Sequence, residues 1–424
     1  MASAIRKSLV DPTEVGVYHC ASHCVRRGNV QGRDTVSGLD RTHRSHWIQN
    51  RLASLASVFA VEVLDYGLID NSLHTLLRIR PDVTIGWSDE EVVRRWIQLN
   101  RRRLQLKRER LSRKRLDKLL ADGERVSEFR KRLSDLSWFM IMLKEPIARE
   151  ANREDGVSGH FFGERYWCRR CWTIEEAMQA MLFSHTSPVR AGLATTPETA
   201  EFSSYRDRLE DQRATFVTSG EFAAGLCRSP SEARNREVSD NASIGHVEVE
   251  AGRRVEREES PAASDDRGKA QRRAAFLAPL RLEGVGLAGP GFDEAAAGRR
   301  LTNDGYLNIT LNQYSDVIAV CRQSADSGSL ASEGAERETT ERAGDRDRLP
   351  DGERGRADSA GEYGPPGDES GRWRASIPSE LPVELERMGF DRVRWAESYR
   401  RNARRFDRLT RKSDSLRRDF HQRL

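Results

Sequence analysis

The sequence predicts an α+β domain over residues 1–210, followed by long stretches too polar to fold and two short islands that regain apolar content. Two observations carry this reading. Within the first 210 residues, strand-like alternation of period two repeatedly gives way to apolar spacings of three and four, as expected of strands and helices in turn. Beyond them, Glu237 to Arg272 contains no aromatic residue and Arg322 to Arg372 contains only Tyr363. Such segments bury too little apolar surface to offset the entropy of ordering the chain. The expected organisation is a domain at 1–210, disordered linkers at 211–274 and 322–376, a small accessory segment at 275–321, and a basic amphipathic helical segment at 377–424.

The elements follow in order. Val15 to Val25 reads as a strand, and Trp47, Ile48, Leu52 and Leu55 then recur at helical spacing. A second strand is expected from about Val58 to Leu64. From Ser72 to Arg80 the residues alternate, with Leu73, Leu77 and Ile79 on one face and Ser72, His74, Arg78 and Arg80 on the other, which predicts a strand with one polar, basic face. Pro81 ends it. Helices are expected from Asp89 through Trp96 and from about Gln105 to Asn152, the latter broken at Asp122-Gly123 and kinked before Pro146. A last helix opens at Thr173, with Glu176 placed for a capping box, and is expected to close at Pro188.

Charge narrows the classes. The 424 residues carry 71 basic and 66 acidic side chains, a formal +5, but the first 210 residues hold a net +7 and the remainder a net −2. Of the basic residues 63 are Arg, the side chain suited to bidentate phosphate contacts. No stretch approaches the ~18 apolar residues of a membrane span, and Met1 to Val10 lacks the apolar core of a secretory signal, so a cytoplasmic protein with reduced cysteines and no membrane partner is expected. Two basic runs stand out, Arg101 to Lys118 and Ser398 to Leu424. The first is a solvated helix face or a phosphate-binding stripe. Along the second and just before it Trp395, Tyr399, Phe406, Leu409, Leu416 and Phe420 step along one side, a pattern that suits nucleic acid, a partner helix or a solvated coil. Cys20, Cys24, Cys168 and Cys171 have roughly zinc-like spacing, but on a strand Cys20 and Cys24 stand ~13 Å apart, too far to share one ion.

The sharpest signal is a series of segments in fixed order: Gly16-Val17-Tyr18-His19-Cys20, Asn71-Ser72-Leu73-His74, Trp87-Ser88-Asp89-Glu90-Glu91-Val92, Pro146-Ile147-Ala148-Arg149, Gly159-His160-Phe161 with Arg165, and Ser187-Pro188-Val189-Arg190-Ala191-Gly192. Together, over about Val15 to Arg208, they resemble the REP-associated branch of the single-tyrosine HUH transposases. A fainter similarity continues into Gly305-Tyr306-Leu307 with Tyr314, and into Glu384 to Gly389 with Trp395. The resemblance implies a ferredoxin-like antiparallel sheet with packed helices, action on hairpin-bearing single-stranded DNA during transposition, and a location with the nucleoid in the cytoplasm. It is compatible with a homodimer. It also implies Mg²⁺ or Mn²⁺ held by two His at i and i+2 of a strand, a tyrosine on a helix that becomes linked to DNA, and an amide ligand one turn later.

The chain departs from that pattern at each chemical position. Ser72-Leu73-His74 stands where the resemblance implies two histidines, so His74 is the one metal ligand retained and Ser72 marks the other. Phe183 stands at the nucleophile, and Ser187 at the amide ligand. Phenylalanine has no oxygen with which to attack phosphorus. Tyr166 and Tyr18 are the alternative phenols in the domain, and His19 or His23 the alternative imidazoles. Arg78, Arg80, Arg165, Arg190 and His19 are the residues expected to face DNA. The expectation is a transposase by descent that binds DNA with its catalysis lost; the alternative is a non-enzymatic DNA-binding regulator or structural protein that kept the fold.

Overall fold

The computed structural model describes residues 9–25, 40–69, 71–100, 113–163, 165–213, 274–280, 300, 305–321, 377–402, 405–406 and 409. The expected linkers apart from residues 211–213 and 274, the first part of the basic run at 101–112, and nearly all of the chain beyond 406 lie outside these residues; residues 211–213, expected in the linker, are helical instead. Strand β1 (Gly16–His23) leads through helix α1 (Thr42–Ala56) to β2 (Val61–Ile69) and β3 (Ser72–Ile79), and helices then precede β4 (Trp167–Cys171). The four strands form one antiparallel sheet in the order β2-β3-β1-β4. Strands and packed helices together make this an α+β architecture. Among the described residues no helix is long and apolar enough to cross a membrane.

One face of the sheet offers Tyr18, Cys20, Val61, Val63, Tyr66, Leu73, Leu77 and Ile79. These are packed in one core with α1 and with the helix α2 (Leu136–Glu154). The long helix expected at 105–152 is in fact three, Arg113–Leu120, Gly123–Leu133 and α2. Asp122 and Asp135 each accept a backbone N–H at the start of the next helix, from Arg125 and Trp138 respectively. Short acceptor side chains at such positions satisfy donors that a helix start leaves open, and so they end one helix and begin another. Pro146 lies inside α2 without ending it.

The other face departs from the sequence reading. The side of β3 expected to be polar and basic is buried along the whole strand, because helix α3 (Ile174–Arg190) lies across it. Every residue of α3 from Glu175 to Val189 is buried. Thr173 caps the helix by accepting from the Glu176 N–H at 3.3 Å, but the Glu176 carboxylate accepts from the Trp172 N–H at 2.8 Å instead of completing a capping box. Pro188 does not close the helix, which continues to Arg190. The outer side of α3 is covered by the accessory and C-terminal segments, whose Leu307, Ile309, Tyr314, Val317, Ile318, Leu385 and Trp395 join Ala177, Met178, Met181 and Leu182 in a second core. Residues 274–280 meet β2 directly, with a bridge from Val63 to Leu277 and the Ala278 N–H donating to Val63 O at 2.9 Å.

Gly67 of β2 fixes how closely α3 approaches. A Cβ placed there would stand 2.4 Å from Ser184 Oγ and 3.2 Å from the Ser184 carbonyl oxygen. Gly67→Ala is expected to destabilise the protein by about 1–3 kcal/mol, the usual range for forcing an extra carbon into a filled core. Ser184→Ala removes the nearer obstacle, so the double variant is expected to recover part of that loss. Urea denaturation of the two single variants and the double variant measures this, and strictly additive losses would place the helix farther from the strand than described.

Candidate functional site

Register brings the chemistry-bearing residues together. In the β1 and β3 pair, His23 stands opposite Ser72, Ala21 opposite His74 and His19 opposite Leu76. Alternation along the strands therefore places His19, His23, Ser72 and His74 on one face, the face under α3. His19 Nε2 lies 3.2 Å from His74 Nδ1, and His23 Nδ1 lies 2.6 Å from Ser72 Oγ. A hydrogen bond between two imidazoles needs one donor and one acceptor nitrogen, so at least one ring is neutral. Burial pushes both below the ordinary histidine range. His19 is lowered to about 4, with Arg169 adding to the effect of burial and Asp65 opposing it, and His74 falls well below 6.5 through burial and then the neighbouring His19, His23 and Arg190.

Phe183 projects from α3 onto this pair. Its ring centroid is 5.4 Å from that of His74 and 6.4 Å from that of His19, edge-on to both. The ring stacks on Phe406 at 4.3 Å with 12° between the planes. The Arg190 guanidinium lies 4.9 Å from the Phe183 centroid and donates to Ser187 Oγ at 2.6 Å, while that hydroxyl donates to the Phe183 carbonyl oxygen at 2.5 Å. Trp167 closes the cluster, edge-on to His19 at 5.3 Å.

His74, Ser72, Phe183 and Ser187, which the sequence reading assigns to one site, thus fall in one region, and His19 joins them. The arginines divide. Arg78 and His19, read from the sequence as facing DNA, are buried: Arg78 is ion-paired with Glu62 and lies over the Tyr306 ring at 5.7 Å, because an arginine beneath α3 requires a carboxylate partner. Arg80 is held by Glu62 at 3.3 Å and Asp82 at 2.8 Å. Arg165 and Arg190 are exposed.

The residues present do not fit the Mg²⁺ or Mn²⁺ that the resemblance implies. Ser72 Oγ is taken by His23, Ser187 Oγ by a carbonyl and a guanidinium, and His74 Nδ1 by His19. None of these supplies a carboxylate, which such hard cations favour. Among the described residues no group of three or more His, Cys, Asp or Glu is arranged for any metal ion. The thiols are not arranged for one either, since Cys20 and Cys24 belong to one core and Cys171 to the core on the other face. The alternative phenols, Tyr18 and Tyr166, also belong to the core behind the sheet, and Tyr166 Oη is 3.1 Å from Ser137 Oγ.

His23, named with His19 as an alternative imidazole, does fall on the same face as His19, on Ser72. Two features were missed from the sequence. Phe406 was read as part of an apolar stripe, not as a cover for Phe183. The second is a buried polar junction: His185 Nε2 lies 2.6 Å from Asp65 Oδ1 and 3.0 Å from Ser204 Oγ, and His185 Nδ1 lies 2.6 Å from Tyr314 Oη. Burial alone would raise the Asp65 pKa, but the neighbouring His185, the Ser204 hydroxyl and Arg208 outweigh it and hold the carboxyl below its ordinary value.

No protein-family profile, curated protein or solved structure matches the chain.

The buried imidazoles set a pH dependence with a definite sign. Below pH ~6.5 a histidine of the unfolded chain takes up a proton that His19 and His74 refuse in the fold, so stability falls as pH drops from about 6.5 toward 4. Asp65 works lower, stabilising above the unfolded carboxyl pKa of ~3.9 and losing that contribution as pH falls through its depressed folded value. Between pH 7 and 5 His19 alone is expected to remove about 2 kcal/mol. Urea denaturation at the two pH values checks this, with His19→Gln expected to flatten the dependence; equal stability at both would refute the assignment of buried neutral imidazoles.

Proposed function

We propose that the chain binds hairpin-bearing single-stranded DNA as a descendant of the REP-associated HUH single-tyrosine transposases, and that it has lost their strand-transfer chemistry. The observation that supports this most is the seating of Phe183. In that family a helix tyrosine faces imidazoles on a central strand, and here a helix phenylalanine faces His74 from 5.4 Å between ring centroids. The chain order β-α-β-β-α-β and the strand order β2-β3-β1-β4 agree with a ferredoxin-like sheet. The net +7 of the first 210 residues and the exposed Arg165 and Arg190 suit a polyanionic partner.

A second reading, a non-enzymatic DNA-binding regulator or structural protein that kept the transposase fold for binding alone, is favoured by the covering of the cluster. Phe406 stacks on Phe183, and Asn402 Nδ2 donates to Gln179 Oε1 at 2.8 Å, so the C-terminal segment occupies the side of α3 that an attacking phenol would need open. Both readings predict binding without cleavage.

Binding is tested with hairpin oligonucleotides and duplex controls over a salt series. Affinity is expected to fall steeply with salt, by about 0.7 in the log–log slope for each phosphate neutralised on a single strand. The double variant Arg165→Ala and Arg190→Ala is expected to weaken binding and flatten that slope. Salt-independent or undetectable binding would remove the nucleic-acid reading.

Chemistry is tested by restoration. The native chain is expected to give no Mn²⁺-dependent covalent adduct with DNA, and Phe183→Tyr alone very little. The combined Ser72→His, Phe183→Tyr and Ser187→Asn variant is expected to give a weak adduct, because small misplacements of reacting groups are costly in rate. A native adduct mapping to Tyr18 or Tyr166 would overturn the assignment of position 183.

A further inference from the structure

The β1 and β4 register that positions His19 also sets two thiols side by side on the opposite face of the same strands. Cys20 is the direct cross-strand partner of Cys168, one rung from the pair His19 and Arg169. Cys20 is fully buried, and Cys168 is partly exposed at the margin of the same core. Both are reduced. Direct partners on antiparallel strands have Cα atoms about 4.5 or 5.5 Å apart, depending on the rung, and Cβ atoms about 4.5–5.5 Å apart. A disulfide takes Cα separations of about 4.4–6.8 Å and Cβ separations of about 3.5–4.5 Å. For directly opposed residues the backbone spacing falls within the required range, and the side chains have to close by up to roughly an ångström. The strand that has to move is β4, five residues long and at the sheet edge.

We propose that Cys20 and Cys168 form a reversible disulfide that ties the edge strand β4 to β1 when the chain meets a low-molecular-weight disulfide. Cys168, the accessible thiol, loses its proton and attacks one sulfur of the small disulfide, releasing one equivalent of thiol and leaving a mixed disulfide. Cys20 then loses its proton and attacks the Cys168 sulfur, releasing the second equivalent. Two protein thiols are oxidised and one small disulfide is reduced to two thiols, so no further oxidant is needed.

Among the described residues, the other cysteines are poorly placed to compete. Cys171 lies on the opposite face among Val17, Ala177 and Met178, and burial pushes its thiol up to about 12. Cys24 is four residues along β1 from Cys20, ~13 Å on a strand, and bridges to Phe162. Cys321 is buried in the second core. A bond between Cys20 and Cys168 would also act on the candidate site from behind. Trp167 and Arg169, the chain neighbours of Cys168, present their side chains to the face that holds His19, and Arg169 pairs with Glu176 of α3 at 2.9 Å.

The test uses the full chain and oxidised glutathione as the probe. After incubation, blocking of the remaining thiols and digestion without reductant, mass spectrometry is expected to find the Cys20 peptide joined to the Cys168 peptide, two hydrogens lighter than their sum and separated by dithiothreitol. The oxidised chain is expected to melt at a higher temperature than the reduced chain. Cys20→Ser is expected to stop at a glutathione adduct on Cys168, and Cys168→Ser to leave Cys20 fully open to alkylation once unfolded. Recovery of both native cysteines in the alkylated form, a linkage of Cys20 to any other cysteine, or a bond between two chains would overturn the proposal. Because the native chain is assayed directly, a variant that fails to fold does not decide the result.

Discussion

Much of this structure follows from one constraint, that helix Ile174–Arg190 is enclosed on both sides. The sheet lies beneath it and the accessory and C-terminal segments lie above. A polar group in such a place costs several kcal/mol unless a protein partner replaces water. The helix meets that demand at most of its polar positions. Glu176 accepts from the Trp172 N–H and from Arg169, and Gln179 donates to the Trp395 carbonyl and accepts from Asn402. His185 joins Asp65 to Tyr314, and Ser187 is held between a carbonyl and Arg190. Glu175 Oε2 and Ser184 Oγ are exceptions without a hydrogen-bond partner, the latter turned toward Gly67. The closeness that Gly67 permits leaves little room there for a partner or a water.

The same constraint gives the late segments their place. A helix with apolar residues on both sides needs cover on both, and beyond the sheet the first 210 residues supply little more than Tyr205 and Ser204. Residues 274–280, 305–321 and 377–402, with Phe406 and Leu409, provide the rest, entering through a bridge to β2, through Tyr314 on His185, and through Trp395 on Gln179. Long connections are a small obstacle to such a return, since the entropy of closing a loop grows only with the logarithm of its length. The buried contact of imidazole and phenol also favours docking of the segment that carries Tyr314, because an apolar residue there would leave His185 Nδ1 without its partner.

What could be read in the sequence differs sharply between the two faces of the sheet. The strand at Ser72–Ile79 was legible because Leu73, Leu77 and Ile79 alternate with polar residues, and the start of α3 was legible in Thr173 and Glu176. The burial of the polar side was not. Period two says which residues share a face, but the fate of that face depends on whether another element covers it. Arg78 illustrates the point: its exposure was inferred from its company on the strand, while its burial depends on Glu62, which stands opposite it on a strand read three residues too early at its start and five at its end. His19 and His74 came together for a similar reason. Their contact is a matter of register between strands 55 residues apart in sequence, and no local pattern encodes register. Pro188 misled in the opposite direction, since proline discourages a helix whereas the packing of Val189 in the second core extends this one.

The residue types at Ser72, Phe183 and Ser187 are intelligible from a single physical requirement. A tyrosine at 183 would carry a hydroxyl into a pocket bounded by Phe406, Ala21 and Leu409, where a partner for it would have to be built. Phenylalanine makes no such demand, and it gains a stacked ring on one side and the edges of two imidazoles on another. A second imidazole in place of Ser72 would stand beside His23 and next to the His19 and His74 pair, raising the number of buried titratable rings that must stay neutral together. Serine instead accepts or donates a single bond to His23. At 187 the short hydroxyl bonds back to its own helix, leaving Arg190 to lie over the Phe183 ring. Ser72, Phe183 and Ser187 are thus each a residue that this closed interior accommodates with the partners already at hand, so one requirement, burial beneath and beside α3, accounts for all three.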